Sequence, residues 1–80
     1  MIRVKFIFFA ALKELIAPEI ECTIPEKTSI TKLRTLLIEK YANARELLTS
    51  SRFAINEEFV NDEFILTGED VLVMPPSSGG

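Results

Sequence analysis

The residues best suited to chemistry in this sequence are its last two, Gly79 and Gly80. Glycine has no Cβ, so Gly79-Gly80 can thread a channel too narrow for any other residue. With Gly80 as the chain end, its carboxylate is a group that a backbone nest can capture, and it is also a chemical handle. As a free anion it is a poor electrophile. As an acyl-adenylate it carries a good leaving group, and a sulfur nucleophile can then take the acyl carbon. That chemistry asks nothing of the side chains, which suits a sequence with no His and hence without the usual general base and the commonest metal ligand. A single Cys excludes an internal disulfide framework, a Cys-based zinc site and a four-cysteine iron–sulfur cluster. That residue, Cys22, alternates with Ile20 and Ile24, so it reads as a small apolar residue on an inward strand face rather than as the group that carries sulfur. Asp62-Glu63 and Glu69-Asp70 are adjacent acidic pairs without the spaced oxygen ligands a cation needs, and no metal site is expected.

The elements that would position such a tail follow from periodicity. Ile2, Val4, Phe6 and Phe8 alternate with Arg3, Lys5, Ile7 and Phe9, a strand apolar on both faces toward its end and so expected to have neighbours on both sides. Residues 10–16 read as a short helical turn stopped before Pro18. Ile20, Cys22 and Ile24 alternate with Glu19, Glu21 and Thr23, a second strand with one wet face, closed by Pro25. Thr28 or Ser29 can cap a helix whose apolar stripe is Ile30, Leu33, Leu36, Leu37 and Tyr41. Residues 44–48 read as a second short helix or turn, 52–55 as a strand, and Asn56-Glu57 as a tight turn into Phe59 and Val60. A turn at residues 67–70 leads into a last strand, Val71 to Met74, ended by Pro75-Pro76. This order is not a simple alternation of strand and helix, so the expected class is α+β: a mixed sheet with one main helix packed across one face. Phe6, Phe8, Leu33, Leu36 and Leu37 are expected in the core, with one or two of Phe53, Phe59 and Phe64 exposed. Residues 1–74 form the expected domain. Residues 75–80 (Pro75, Pro76, Ser77, Ser78, Gly79 and Gly80) form an extended, flexible exit.

Eighty residues make one small domain, and 28 Leu, Ile, Val and Phe among them supply a core. The net charge of −3 is unevenly spread. Residues 1–52 hold all nine basic and six acidic residues, giving +3; residues 53–80 hold six acidic and no basic ones, giving −6. An acidic C-terminal third suits a basic partner surface and disfavours nucleic acid. No segment approaches a membrane span, and the apolar run that follows Arg3 and Lys5 stops at Lys13, so no signal peptide, no membrane partner and a cytoplasmic location are expected.

Phe8-Phe9-Ala10-Ala11-Leu12-Lys13-Glu14-Leu15, Ala54-Ile55-Asn56, Gly68-Glu69-Asp70-Val71 and the terminal Pro75-Pro76-Ser77-Ser78-Gly79-Gly80 together resemble the small, sulfur-carrying subunit of molybdopterin synthase, along the whole chain. The resemblance implies the β-grasp, ubiquitin-like fold. It implies that an activating enzyme uses ATP and magnesium to adenylate Gly80, that sulfur delivery makes a Gly80 thiocarboxylate, and that the tail enters the large subunit of the synthase. There sulfur passes to cyclic pyranopterin monophosphate. The catalytic side chains would belong to that partner, in a heterotetramer, and this chain alone would be non-catalytic with no tightly bound cofactor. The resemblance also places a docking surface on the sheet face near Phe59 and Met74, where an aromatic is common in place of Met74, and a contact at Lys13, where Arg is common. Two other roles use the same tail: a thiamine-pathway sulfur carrier, which normally lacks the Pro-Pro, and a ubiquitin-like modifier conjugated through Gly80.

Overall fold

Alternating strands and one capped helix build the architecture seen in the computed structural model, which describes residues 1–76. The first strand, β1 (Ile2–Phe8), buries Val4, Phe6 and Phe8 on one face. The chain then turns through Ala10, at φ 51°, into the short helix α1 (Ala10–Leu15), which anchors itself with the fully buried Leu12. Strand β2 (Glu19–Ile24) returns antiparallel to β1, with Ile2 opposite Ile24 and Phe6 opposite Ile20. Helix α2 (Ile30–Lys40) starts at Ser29, whose side-chain oxygen accepts from the Lys32 N–H at 3.2 Å. A loop from the far side of the sheet closes this end: Phe64 O accepts from Ile30 N–H at 3.0 Å and Asp62 O from Thr31 N–H at 3.0 Å. The first-turn donors that every helix leaves unpaired thus find partners.

A 3-10 turn at Ala42–Ala44 and helix α3 (Arg45–Ser50) bring the chain back to the sheet. Strands β3 (Arg52–Ile55) and β4 (Glu58–Val60) form a hairpin across Asn56-Glu57, and β5 (Val71–Met74) completes a five-stranded mixed sheet of order β2-β1-β5-β3-β4. β5 runs parallel to β1 and antiparallel to β3. This is the mixed sheet with one main helix that the element order implies, and the β-grasp arrangement that the resemblance implies.

The core lies between the sheet and α2, where Phe6, Phe8, Phe53, Val71 and Val73 meet Ile30, Leu33, Leu37 and Leu48. Each such side chain removed from water contributes about 1.5–3 kcal/mol. Leu36 departs from the expected stripe: it is 38 % exposed. The buried face of α2 centres on Ile30, Leu33 and Leu37, with Arg34 and Ile38 on its flank. At about 100° per residue, Leu36 sits roughly 90° away from that centre.

Candidate functional site

Register places the residues of interest on the sheet face opposite α2. Directly paired residues share a face. Ile7 pairs with Glu19 and Leu72, and Ala54 pairs with Leu72 and Phe59. One row therefore crosses all five strands: Glu19, Ile7, Leu72, Ala54 and Phe59. Its last four members are apolar. Met74 lies two residues beyond Leu72 on the same face, opposite Arg52. Phe59 is 50 % exposed, Ile7, Leu72 and Met74 are half-buried, and the Arg52 guanidinium lies 3.7 Å from the centre of the Phe59 ring. Of the three phenylalanines in the acidic third, Phe59 is the exposed one; Phe53 is buried and Phe64 half-buried.

Charged pairs fringe this row. Arg3 meets Glu21 at 3.6 Å and Lys5 meets Glu19 at 3.6 Å, all four on β1 and β2. An apolar strip with a polar rim is what a protein–protein contact needs. The structure thus brings Phe59 and Met74 together on one face. Lys13 is exposed on α1, outside that sheet face, and enters none of the four ion pairs among the described residues. The strip also contains Ile7 and Leu72, whose apolar character on an outward strand position was visible in the sequence, and Arg52, for which no sequence signal existed.

β5 is the strand that leads into Pro75-Pro76. It is held on both sides, by β1 and by β3, and Met74 is its last residue. Pro75 is half-buried and Pro76 exposed, so the exit begins beside the apolar strip. Ser77, Ser78, Gly79 and Gly80 lie outside the described residues.

The other candidates have local partners. The Cys22 thiol is half-buried on the face that β2 turns toward α2; burial pushes its pKa up, against a smaller lowering by the Lys40 ammonium. Asp62 accepts from Arg34 Nη2 at 3.1 Å. Glu69 accepts from the Thr67 N–H and the Thr67 hydroxyl, both at 2.7 Å; partial burial would raise its pKa, and these bonds with the Gly68 and Glu69 N–H groups lower it. Among the described residues no cluster of three or more His, Cys, Asp or Glu could hold a metal ion, and no helix is long and apolar enough to cross a membrane.

A family model described as the ThiS family matches residues 6–80. The chain belongs to the ThiS family. Along its full length this ThiS-family chain is 31 % identical to a Caenorhabditis briggsae protein named molybdopterin synthase sulfur carrier subunit, covering 100 % of both. A solved structure from Pyrococcus furiosus, described as molybdopterin converting factor, subunit 1, superposes with a TM-score of 0.83 at 23 % identity, over 96 % of this chain and 100 % of that one. A chain in a Helicobacter pylori complex of subunits 1 and 2 of molybdopterin-converting factor superposes with a TM-score of 0.68 at 20 % identity, over 98 % and 99 % of the two chains. These two likenesses extend the ThiS-family assignment to the fold.

Proposed function

We propose that this chain is a sulfur carrier of molybdenum cofactor biosynthesis, working through the carboxylate of Gly80. The observation that carries the reading is the full-length match to a relative named molybdopterin synthase sulfur carrier subunit, in a chain that carries Gly79-Gly80 after Pro75-Pro76. The fold supports it: the central strand β5 leads into Pro75-Pro76 beside an apolar strip on the sheet.

In this reading an activating enzyme uses ATP and magnesium. The Gly80 carboxylate oxygen attacks the α-phosphorus and pyrophosphate leaves. Sulfide-level sulfur from the sulfur source then attacks the acyl carbon; the new carbon–sulfur bond replaces the carbon–oxygen bond to AMP, AMP leaves, and the product is the thiocarboxylate. Pro75 and Pro76 limit the conformational freedom lost on insertion, and Ser77, Ser78 and Gly79 carry the thiocarboxylate into the large subunit. That subunit docks on the strip around Phe59 and Met74, with Lys13 as an outlying contact. It holds the catalytic side chains that pass sulfur to cyclic pyranopterin monophosphate. The subunit 1 and 2 complex from Helicobacter pylori supports a partner of this kind. Residues 1–74 serve as the domain, residues 75–80 as the working tail, and the cytoplasm as the compartment.

The test is intact-mass spectrometry after incubation with the cognate activating enzyme, ATP, magnesium and a sulfur source. Exchange of one carboxylate oxygen for sulfur adds about 16 Da. The gain is expected at Gly80 and is lost when Gly80 is deleted. An unchanged mass with a demonstrably active enzyme would remove the proposal. A ladder of isopeptide-linked products would replace it with protein conjugation.

A further inference from the structure

The sheet has two edges, and they are built differently. β4 is three residues long and is entered through Glu57 and Glu58, a short, charged edge of the kind that resists pairing. β2 is six residues long, has no proline inside it and pairs with β1 in unbroken register through residues 19–24. Its other side has no strand beside it among the described residues. Next to it lies an open groove of about 360 Å³ lined by Cys22, Thr23, Ile24, Leu36, Glu39 and Lys40, among others. The exposed Leu36 contributes to this groove.

We propose that a second copy of this chain covers this edge, β2 against β2, in an antiparallel pair about a two-fold axis normal to the sheet. Such an axis keeps the α2 side of both copies on one side, so only registers that pair like faces are allowed. Two of these, centred on Glu21 and on Cys22, overlap well, and charge chooses between them. Centring the pair on Glu21 sets Glu21 against itself, and like charges directly opposite one another repel. Centring it on Thr23 shortens the overlap and sets Glu21 against Pro25 of the partner subunit. Centring it on Cys22 pairs Ile20 with Ile24 of the partner subunit, Glu21 with the partner's Thr23, and Cys22 with the partner's Cys22. No glutamate then faces a glutamate. Arg3 already compensates Glu21 within each copy, at 3.6 Å. The product is a continuous ten-stranded sheet from two five-stranded ones. It covers the β2 edge and the Leu36 groove and leaves the Phe59–Met74 strip free. The inference stands apart from the sulfur-carrier reading.

Thr23 gives a test in which fold and assembly respond in opposite directions. Within one copy Thr23 pairs with Arg3, so Thr23→Glu favours the monomer fold and Thr23→Lys disfavours it. Across the proposed junction Thr23 faces the partner's Glu21, so the signs reverse. In sedimentation equilibrium of the full chain, a concentration-dependent dimer is expected. Thr23→Glu should raise its dissociation constant about tenfold, and Thr23→Lys should lower it, because the two-fold axis makes each contact twice. Cys22 is a built-in reporter. Residues directly opposed in an antiparallel pair have Cα atoms about 4.5–5.5 Å apart, within disulfide reach. Diamide should therefore join two Cys22 thiols: the sulfur–sulfur bond forms, two hydrogens pass to the diazene, and it becomes the hydrazine. The cross-link should weaken with Thr23→Glu. A monomer at every concentration would overturn the proposal. So would a dimer indifferent to both Thr23 variants, or one abolished by Phe59→Ser, which would assign it to the apolar strip instead.

Discussion

Cys22 shows how little its residue type alone says about its role. The thiol is half-buried beside α2, and burial holds its pKa above the ordinary value of 9.0 despite the Lys40 charge. It is therefore protonated at neutral pH and a weak nucleophile. Cys22→Ala is expected to keep the mass gain at Gly80; its loss in a folded variant would make Cys22 a participant. The same shift ties stability to pH. A thiol whose folded pKa is raised stabilises the fold fully below its unfolded value, and that contribution is lost as pH rises through the raised one. Thermal melting from neutral into alkaline pH should fall more steeply for the parent protein than for Cys22→Ala above about pH 9. Parallel curves would count against the burial argument.

At the scale of elements, the hairpin between β3 and β4 carries a local cost that one substitution can relieve. Asn56 and Glu57 have φ of 52° and 67°, the two left-handed positions of a type I′ turn. Asn tolerates that region; Glu does not favour it. Glu57→Gly is expected to stabilise by about 1 kcal/mol, less the entropy that glycine gives up on folding. A higher urea midpoint at unchanged slope would report it, and a lower midpoint would contradict it. The turn itself was legible from Asn56-Glu57 between two apolar runs, as the strands were from their alternation. Arg34 was not. Its guanidinium donates to Leu48 O at 2.8 Å, Ser51 O at 2.7 Å and Asp62 at 3.1 Å, closing the end of α3 while lying over the Phe53 ring. Those partners lie 14 to 28 residues away, beyond the reach of any local pattern. Leu36 failed in the opposite sense: it is apolar at a helical spacing, but only packing decides where the buried face ends.

On the scale of the whole molecule, one sheet presents a buried face and an outer face that carries the apolar strip. Phe59 belongs to the second. Phe59→Ala should change stability by less than about 1 kcal/mol, chiefly through its lost stacking with Arg52. It should weaken binding to the large subunit by about 2 kcal/mol or more, as loss of a central aromatic anchor does. Calorimetric titration beside thermal melting separates the two effects, and unchanged binding would move the docking surface elsewhere. The exposure of one phenylalanine among Phe53, Phe59 and Phe64 was legible in the sequence, but the strip that joins Ile7, Leu72, Ala54 and Phe59 exists only through register between strands far apart along the chain. β5 gives this arrangement a consequence in time. The strand that joins β1 to β3 follows the other four in the sequence, so its long-range pairings cannot form until the preceding seventy residues have been made. A growing chain therefore holds the β1–β2 and β3–β4 pairs unjoined until β5 has been made. The segment that completes the sheet is continuous with the one proposed to carry sulfur, so an activating enzyme that grips the tail would meet only chains already long enough to fold.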